Sequence, residues 1–281
     1  MIRAGCRSSF AAIQIAALVA LIGCGSTASV AGSTIDSKTP RIEAVRGQFV
    51  SDGVAIDEFH CAPRAEGRHP VVMLLHGCAP EGFGAGEFHQ MCLGLAARGY
   101  FATFIEYYGA AGGANCSDLA MIPAVSLAPQ TEIPDATWMH ELMAARTALV
   151  KNPQADTTRI ALVGFSFGAT LAVITAALNP NTIDAVVDYY GYSNAKVEDA
   201  VAQLSNFPPT LILQGDADRR AHVADSIHLH NVIAKHQPGS EVRVYPGVGH
   251  GFNFREAPGY DQEASEDAWS HALSFLDRHL K

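Results

Sequence analysis

The spacing of apolar and polar positions divides most of the chain into strands and helices. The first two predicted strands, 42–50 and 54–60, are joined by Ser51-Asp52-Gly53, and Asp-Gly at such a junction is typical of a hairpin. Short apolar runs typical of buried strands then alternate with segments of helical periodicity. These strands are 71–75, 101–106, 159–163, 185–189, 210–213 and 241–245, and these helices are 86–98, 135–151, 166–178, 221–236 and 262–279. The alternation predicts one α/β domain with a mostly parallel central sheet, right-handed crossovers and an N-terminal antiparallel hairpin.

A long connection, 107–134, separates the fourth predicted strand from the next helix. It contains three prolines and several glycines, and an irregular loop of this length in a compact domain is usually functional. It either forms part of the wall of a substrate pocket or is an excursion over the surface, and the sequence favours neither interpretation.

The first part of the chain has the pattern of a secretory signal peptide. Arg3 and Arg7 precede an apolar stretch, 10–22, that is shorter than the roughly 20 residues of a membrane-spanning helix. Leu21-Ile22-Gly23-Cys24 then resembles a bacterial lipobox, in which Cys24 would become the lipid-modified first residue of the mature protein. The alternative is ordinary cleavage after Ala31, where small residues also have the required spacing.

These features predict three parts: a lipoprotein-type signal peptide at 1–23, a flexible tether rich in Gly, Ser, Thr and Ala at 24–40, and the folded domain at 41–281. They predict an exported protein, lipid-anchored in a bacterial cell envelope or otherwise periplasmic or secreted. The net charge of −9, with histidines neutral, disfavours nucleic acid as a partner because an acidic surface repels phosphate groups. Contact with a membrane is expected only through the lipid anchor.

Four cysteines fall in the predicted domain: Cys61, Cys78, Cys92 and Cys116. An even number in an exported domain permits two disulfides, with three possible pairings. Cys78 and Cys116 are both expected in loops at the carboxyl end of the sheet, so the favoured pair is Cys78–Cys116. The alternative is four small buried thiols.

Gly164-Phe165-Ser166-Phe167-Gly168 matches the pattern G-x-S-x-G in the context that nucleophilic catalysis requires. It follows a predicted apolar strand and opens a predicted helix, so the chain has to reverse within a few residues. Ser166 is then expected in a strained backbone conformation, with its hydroxyl above the sheet at the positive end of a helix. The two glycines would remove side chains that collide with neighbouring elements. The alternative is a glycine-rich turn in which Ser166 is only a helix N-cap.

A serine nucleophile needs a base, and His250 stands in a glycine-flanked loop after the last predicted strand. Asp218 follows the preceding strand with the spacing G-x-x-D, which gives the chain order Ser, acid, His. Its role would be to hold the tautomer of His250 and to stabilise the imidazolium. Asp216 is expected to order the same turn, and Asp188, at the end of an earlier strand, ranks third as the acid.

Two backbone N–H groups are expected to face the developing oxyanion. One belongs to Phe167, directly after the nucleophile, and the other to Cys78, which follows a glycine in the loop after the first buried parallel strand. His76 is expected to order this loop. Among the remaining histidines, His228 and His230 are two positions apart on a helix and point in different directions, so no metal site and no cofactor is predicted.

This ordered set of motifs resembles the dienelactone hydrolase branch of the α/β-hydrolases over about residues 45–280. The resemblance is carried by Leu75-His76-Gly77, Gly164-Phe165-Ser166-Phe167-Gly168, Tyr189-Tyr190-Gly191, Gly215-Asp216-Ala217-Asp218 and Gly249-His250-Gly251-Phe252. It implies an α/β-hydrolase fold with helices on both faces of the sheet. Dienelactone hydrolases proper have a Cys nucleophile where this chain has Ser166, and a Glu in the loop where it has His76-Gly77.

The implied activity is therefore broader than dienelactone cleavage. It is hydrolysis of a small-molecule carboxylic ester, or of a thioester or lactone, through an acyl-Ser166 intermediate. Two other hypotheses stay open. One is a serine peptidase of the same fold, although such enzymes often carry an added lid or propeller domain. The other is a non-catalytic envelope protein that keeps the fold for binding, although such a protein would have no physical reason to keep a strained nucleophile.

Overall fold

Eight strands form a single sheet in the computed structural model, which describes residues 42–78, 83–107 and 136–281. The strands are β1 (Val45–Ser51), β2 (Val54–Cys61), β3 (His69–Leu75), β4 (Phe101–Ile105), β5 (Ala155–Phe165), β6 (Ala185–Tyr189), β7 (Thr210–Gly215) and β8 (Glu241–Tyr245). The helices in this part of the chain are α1 (Ala85–Ala97), α2 (Ala136–Leu149), α3 (Phe167–Leu178), α4 (Ala195–Ala202), α5 (Val223–Ala234) and α6 (Gln262–Leu280). The predicted signal peptide and tether, with Cys24, lie outside the described residues, as do Cys116 and most of the 107–134 connection.

The strands have the spatial order β1-β2-β4-β3-β5-β6-β7-β8. β1 and β2 form an antiparallel hairpin in which Ser51 lies opposite Val54, and β2 also pairs antiparallel with β4. The remaining neighbours are parallel. The predicted mostly parallel sheet with an N-terminal antiparallel hairpin is therefore confirmed. The parallel strands all end at the same edge of the sheet, and that edge receives the loops of the candidate site.

Helices cover both faces of the sheet, and β3 shows how the sequence achieves this. Every residue of β3 after His69 is buried, and alternate side chains of a strand point to opposite faces. Val71, Met73 and Leu75 accordingly join one apolar cluster, with α2, α3, α4 and α5, while Val72 and Leu74 join the other, with α1 and α6. A strand with two apolar faces is stable only if both faces are covered. No helix in the described ranges combines the length and the apolar character that crossing a bilayer requires.

One helix, α4, was not predicted from the sequence, and four strands, β2, β3, β5 and β7, are longer than predicted. The start of α4 has a local signal, because the Asn194 side chain accepts hydrogen bonds from the N–H groups of Lys196 and Val197. Its buried face consists of only Val197 and Val201, which is too little periodicity to stand out. β5 begins early because Ala155 pairs with His69 ahead of a register shift, at which Pro70 pairs with Asp156 and Val71 with Ile160.

A disulfide joins Cys61, the last residue of β2, to Cys92 in α1, with their Cα atoms 5.6 Å apart. Both side chains are fully buried. The alternative of four buried thiols is therefore wrong. Cys78 is also a disulfide cysteine, but Cys116 lies outside the described residues, so the Cys78–Cys116 pair stays a prediction.

Replacing both Cys61 and Cys92 with alanine should lower the free energy of unfolding by about 3–4 kcal/mol, because the bridge restricts the unfolded chain over the 31 residues that separate them. Urea denaturation of the wild type and the double variant measures the difference. An unchanged midpoint with an unchanged slope would show that this bridge contributes nothing.

Candidate active site

The chain reverses at a single residue, Ser166, between the end of β5 and the start of α3. Its backbone has φ 54° and ψ −119°, which lies in the left-handed half of conformational space that costs a non-glycine residue about 1–3 kcal/mol. Two sets of hydrogen bonds hold it there. The Ser166 N–H donates to the carbonyl of Tyr189 at 2.8 Å, and the Ser166 carbonyl accepts from the N–H of Ala169 at 3.0 Å. The strained nucleophile conformation predicted from the sequence is therefore present.

Glycines on either side of Ser166 make the reversal possible. A Cβ added at Gly164 would lie 2.3 Å from the carbonyl oxygen of Gly168, and one added at Gly168 would lie 2.3 Å from the carbonyl oxygen of His76. Gly77, in the loop after β3, has the same constraint, because its Cβ would come within 2.9 Å of the carbonyl oxygen of Phe165. Three backbone segments thus pack against one another at distances that only glycine permits.

Ser166, His250 and Asp218 are joined by hydrogen bonds across 84 and 32 residues of sequence. His250 Nε2 lies 2.9 Å from Ser166 Oγ, and His250 Nδ1 lies 2.7 Å from Asp218 Oδ2. The three residues come from the loops after β5, β8 and β7, so they meet at the carboxyl edge of the sheet. The structure therefore brings together the nucleophile, base and acid that the sequence predicted.

The surroundings of Asp218 keep its carboxylate ionised. Burial by itself would raise the pKa of Asp218, but the hydrogen bond from His250 and those from the N–H groups of Arg220 and Ala221 outweigh it, and the pKa lies below its usual value. An ionised acid accepts hydrogen bonds only. The proton on His250 is therefore assigned to Nδ1, which leaves the Nε2 lone pair facing the hydroxyl of Ser166.

The other two acids considered from the sequence have structural roles. Asp216 is exposed, and its carboxylate accepts from the N–H of Gly247 at 2.6 Å, which ties the loop after β7 to the loop that carries His250. Asp188 is buried and accepts from the N–H of Gly191 at 2.7 Å. Burial raises the pKa of Asp188 to about 7. The contact with His250 belongs to Asp218.

The backbone beside Ser166 has the layout expected of an oxyanion hole. Phe167 is the first residue of α3, where N–H groups have no acceptor within the helix. A Cβ at Gly77 would lie 3.0 Å from Ser166 Cβ, so the loop containing Cys78 runs directly past the nucleophile. The assignment of Phe167 and Cys78 as the two donors stays a prediction, which this layout supports.

His76 lies at the base of this loop, where it can hold the backbone in place. Its Nδ1 is 3.0 Å from the carbonyl of Gly77, its ring stacks on Tyr107 at 4.1 Å, and the Tyr107 hydroxyl donates to the His76 carbonyl. Burial lowers the pKa of His76 to about 4, so the ring is neutral at physiological pH. These contacts support the predicted ordering role.

Two tyrosines at the site were given no role in the sequence analysis, although one of them, Tyr190, stands in a motif that carries the family resemblance. Tyr192 Oη lies 3.5 Å from Ser166 Oγ, and the Tyr192 ring stacks beside His250 with centroids 6.1 Å apart. Tyr190 meets the same imidazole edge-on at 4.8 Å, and its hydroxyl donates to the Asn253 side chain. The available signal was their position, because both directly follow β6 and parallel strands end at the edge where Ser166 lies.

A model of the dienelactone hydrolase family matches residues 56–280. The chain belongs to the dienelactone hydrolase family. A relative from Methylorubrum extorquens, provisionally named a carboxymethylenebutenolidase, is 29% identical over 240 residues that cover 82% of this chain and 79% of the relative. Membership of this family makes the protein a hydrolase, and the bond broken in a lactone is a carboxylic ester. The predicted enzyme class, a hydrolase of ester bonds, is thereby confirmed.

Solved structures confirm the α/β-hydrolase fold. A Klebsiella pneumoniae protein, provisionally described as a dienelactone hydrolase, has a TM-score of 0.71 at 22% identity, with 85% of this chain and 100% of that chain covered. The acylaminoacyl peptidase of Pyrococcus horikoshii has a TM-score of 0.65 at 17% identity, but this chain covers only 42% of it. The family and these structures agree on the scaffold, while the roles of individual side chains rest on the geometry above.

Substituting Gly168 with alanine should destabilise the protein by about 3 kcal/mol or more, because the new methyl group would meet the carbonyl oxygens of Leu75 and His76 at 2.4 and 2.3 Å. Chemical denaturation measures the change. Gly94→Ala is the matched control, since Gly94 lies in α1 with open space around it and should stabilise the helix by about 0.5–1 kcal/mol. Equal effects of the two substitutions would contradict the close packing at Gly168.

Proposed function

We propose that this member of the dienelactone hydrolase family cleaves small-molecule carboxylic esters through an acyl-Ser166 intermediate. The observation that carries the proposal is the continuous hydrogen-bonded chain from Ser166 Oγ through His250 to Asp218, with contacts of 2.9 and 2.7 Å. A free serine hydroxyl is a weak nucleophile and needs a base within this reach. The same chain supplies the base and holds it in the tautomer that accepts a proton.

In the acylation step, Ser166 Oγ attacks the ester carbonyl carbon while its proton passes to His250 Nε2. The buried carboxylate of Asp218 stabilises the imidazolium that forms. Asp218 stays ionised and does not take the proton from His250. The carbonyl oxygen becomes an oxyanion, which the N–H groups of Phe167 and Cys78 would receive at the positive end of α3. Collapse of the tetrahedral intermediate breaks the carbon–oxygen bond to the alcohol, and His250 returns the proton to the departing oxygen.

In the deacylation step, water takes the place of the alcohol and the same groups act in reverse. His250 accepts a proton from water as the water oxygen attacks the acyl carbon, and the second tetrahedral intermediate expels Ser166 Oγ, which recovers its proton. Both half-reactions need only groups that the loops after β3, β5, β7 and β8 provide. The products are a carboxylic acid and an alcohol.

The other two hypotheses have less support. A peptidase role is favoured only by likeness to structures of which this chain covers less than half. A purely binding role does not explain two features of the site. Neither the strained backbone of Ser166 nor the ionised carboxylate hydrogen-bonded to His250 would contribute to binding alone. Thioesters and lactones share the same acyl chemistry, so they stay within the proposed substrate range.

We further propose that the enzyme is exported and lipid-anchored through Cys24. The lipobox-like Leu21-Ile22-Gly23-Cys24 supports the anchor. The Cys61–Cys92 disulfide supports an oxidising compartment, because disulfides are rare in reducing cytosols.

Ser166→Ala should abolish hydrolysis of p-nitrophenyl acetate and labelling by a fluorophosphonate probe, because no other group forms the acyl bond. Absorbance at the p-nitrophenolate band and mass spectrometry of the labelled peptide give the two readouts. Ser274→Ala, which removes an exposed hydroxyl on α6, should change neither. Retention of both activities in Ser166→Ala would refute the acyl-serine assignment.

Mass spectrometry of the mature protein, purified from membranes of a bacterial host, should find Cys24 at the N-terminus with a covalent diacylglycerol. In the Cys24→Ala variant that modification should vanish and the protein should leave the membrane fraction. An unmodified N-terminus at Gly32 in the wild type would instead establish a soluble exported enzyme.

A further inference from the structure

The turn after β6 is fixed against the helix that carries the nucleophile. Thr170, on α3, uses its hydroxyl twice: the hydroxyl accepts from the N–H of Tyr192 at 2.8 Å and donates to the Tyr192 carbonyl at 3.0 Å. Gly191 completes the contact, since a Cβ there would lie 2.9 Å from Ala169 Cβ. Tyr192 and Ser166 are therefore held on one rigid unit, and their separation does not depend on a mobile loop.

The Tyr192 hydroxyl lies beside the reacting atoms, on the side of the general base. Its Oη is 3.5 Å from Ser166 Oγ, and its ring is inclined by only 25° to the imidazole of His250 at a centroid distance of 6.1 Å. His250 Nε2 has to reach the departing alcohol oxygen as well as Oγ. Tyr192 Oη and His250 Nε2 both lie next to Ser166 Oγ, at 3.5 and 2.9 Å, so an oxygen bound between them can contact both.

The phenol is a hydrogen-bond donor at neutral pH. Burial is the main influence on Tyr192 and raises the pKa of the phenol above its usual value, so the phenol keeps its proton. In the proposed mechanism Ser166 donates its hydrogen to His250, which leaves the Tyr192 hydroxyl as the group that can donate to Oγ. As a result, the phenol can offer its hydrogen to an oxygen that gains negative charge.

We propose that Tyr192 is a catalytic residue that donates a hydrogen bond to the leaving-group oxygen while His250 protonates it. This inference rests on the proposed acyl-Ser166 mechanism. When the carbon–oxygen bond breaks, the electron pair goes to the alcohol oxygen and the proton comes from His250 Nε2. Tyr192 keeps its own proton throughout and acts only through its hydrogen bond. In deacylation the same hydroxyl faces the attacking water.

The proposal specifies a substrate class. A departing oxygen that already stabilises its charge, as in p-nitrophenolate, gains little from an added donor. An alkoxide from an unactivated alcohol carries more charge in the transition state, and a hydrogen bond to a charged group is worth more than one to a neutral group. The site is therefore suited to esters of simple alkyl alcohols.

The test compares wild type and Tyr192→Phe on acetates that share one acyl group and differ in their alcohol: p-nitrophenyl, phenyl, trifluoroethyl and ethyl. The parameter is kcat/KM, which reports acylation. The variant should lose about 10- to 100-fold on ethyl acetate and less than about 3-fold on p-nitrophenyl acetate. Tyr260→Phe, which removes a hydroxyl from a partly exposed ring, should match the wild type on the whole series.

Labelling by a fluorophosphonate separates the two proposals. Fluoride leaves without a proton, so Tyr192→Phe should be labelled at Ser166 at close to the wild-type rate, which also shows that the variant is folded. A loss that is equal across the four esters, or no loss at all, would overturn the role of Tyr192 and leave the acyl-serine mechanism standing. Failure of the wild type to label at Ser166 would overturn both.

Discussion

The reversal of the chain at Ser166 is the constraint on which the rest of the site depends. Between the last residue of β5 and the first residue of α3 there is one residue, so its backbone must adopt a positive φ of 54°. The cost, about 1–3 kcal/mol, is small beside the burial that enforces it, since every residue of α3 from Phe167 to Ala177 is buried. A wider turn would carry the hydroxyl away from the edge at which the loops after β7 and β8 arrive.

Those two loops are also fixed to each other, independently of their contacts with Ser166. A Cβ at Gly215 would lie 2.2 Å from the carbonyl oxygen of Val248, and the N–H of Ala217 donates to that same carbonyl at 3.0 Å. Asp216 adds a third tie through Gly247. Asp218 and His250 are thus positioned by backbone contacts as well as by their own hydrogen bond. Such preorganisation matters because electrostatic stabilisation is most effective when no group has to reorient during the reaction.

Local patterns in the sequence were sufficient to predict the sheet and the chain order of Ser166, Asp218 and His250. The apolar runs of β3, β4, β6 and β7 are long enough to identify these segments as strands. The G-x-S-x-G motif can be recognised locally because the chain must reverse between a strand and a helix at its serine. The Cys61–Cys92 pairing and the contact of Tyr192 with Ser166 depend instead on which elements become neighbours in space. The short helix α4 was missed because two valines do not make a detectable period. A single sequence therefore predicts the order and type of the strands and helices, but it does not predict the contacts between side chains of distant segments.

The proposed serine nucleophile accounts for the number of contacts that surround His250 and Asp218. A thiol, with an ordinary pKa near 8.5, is partly ionised at neutral pH, whereas a hydroxyl reacts only if a base removes its proton during attack. The imidazole must therefore be held in one tautomer and its cationic form stabilised. Asp218 provides both, because its two oxygens accept from His250, from two backbone N–H groups and from Gln214. A carboxylate so fully hydrogen-bonded retains its charge despite burial, and the pKa of Asp218 accordingly lies below its usual value.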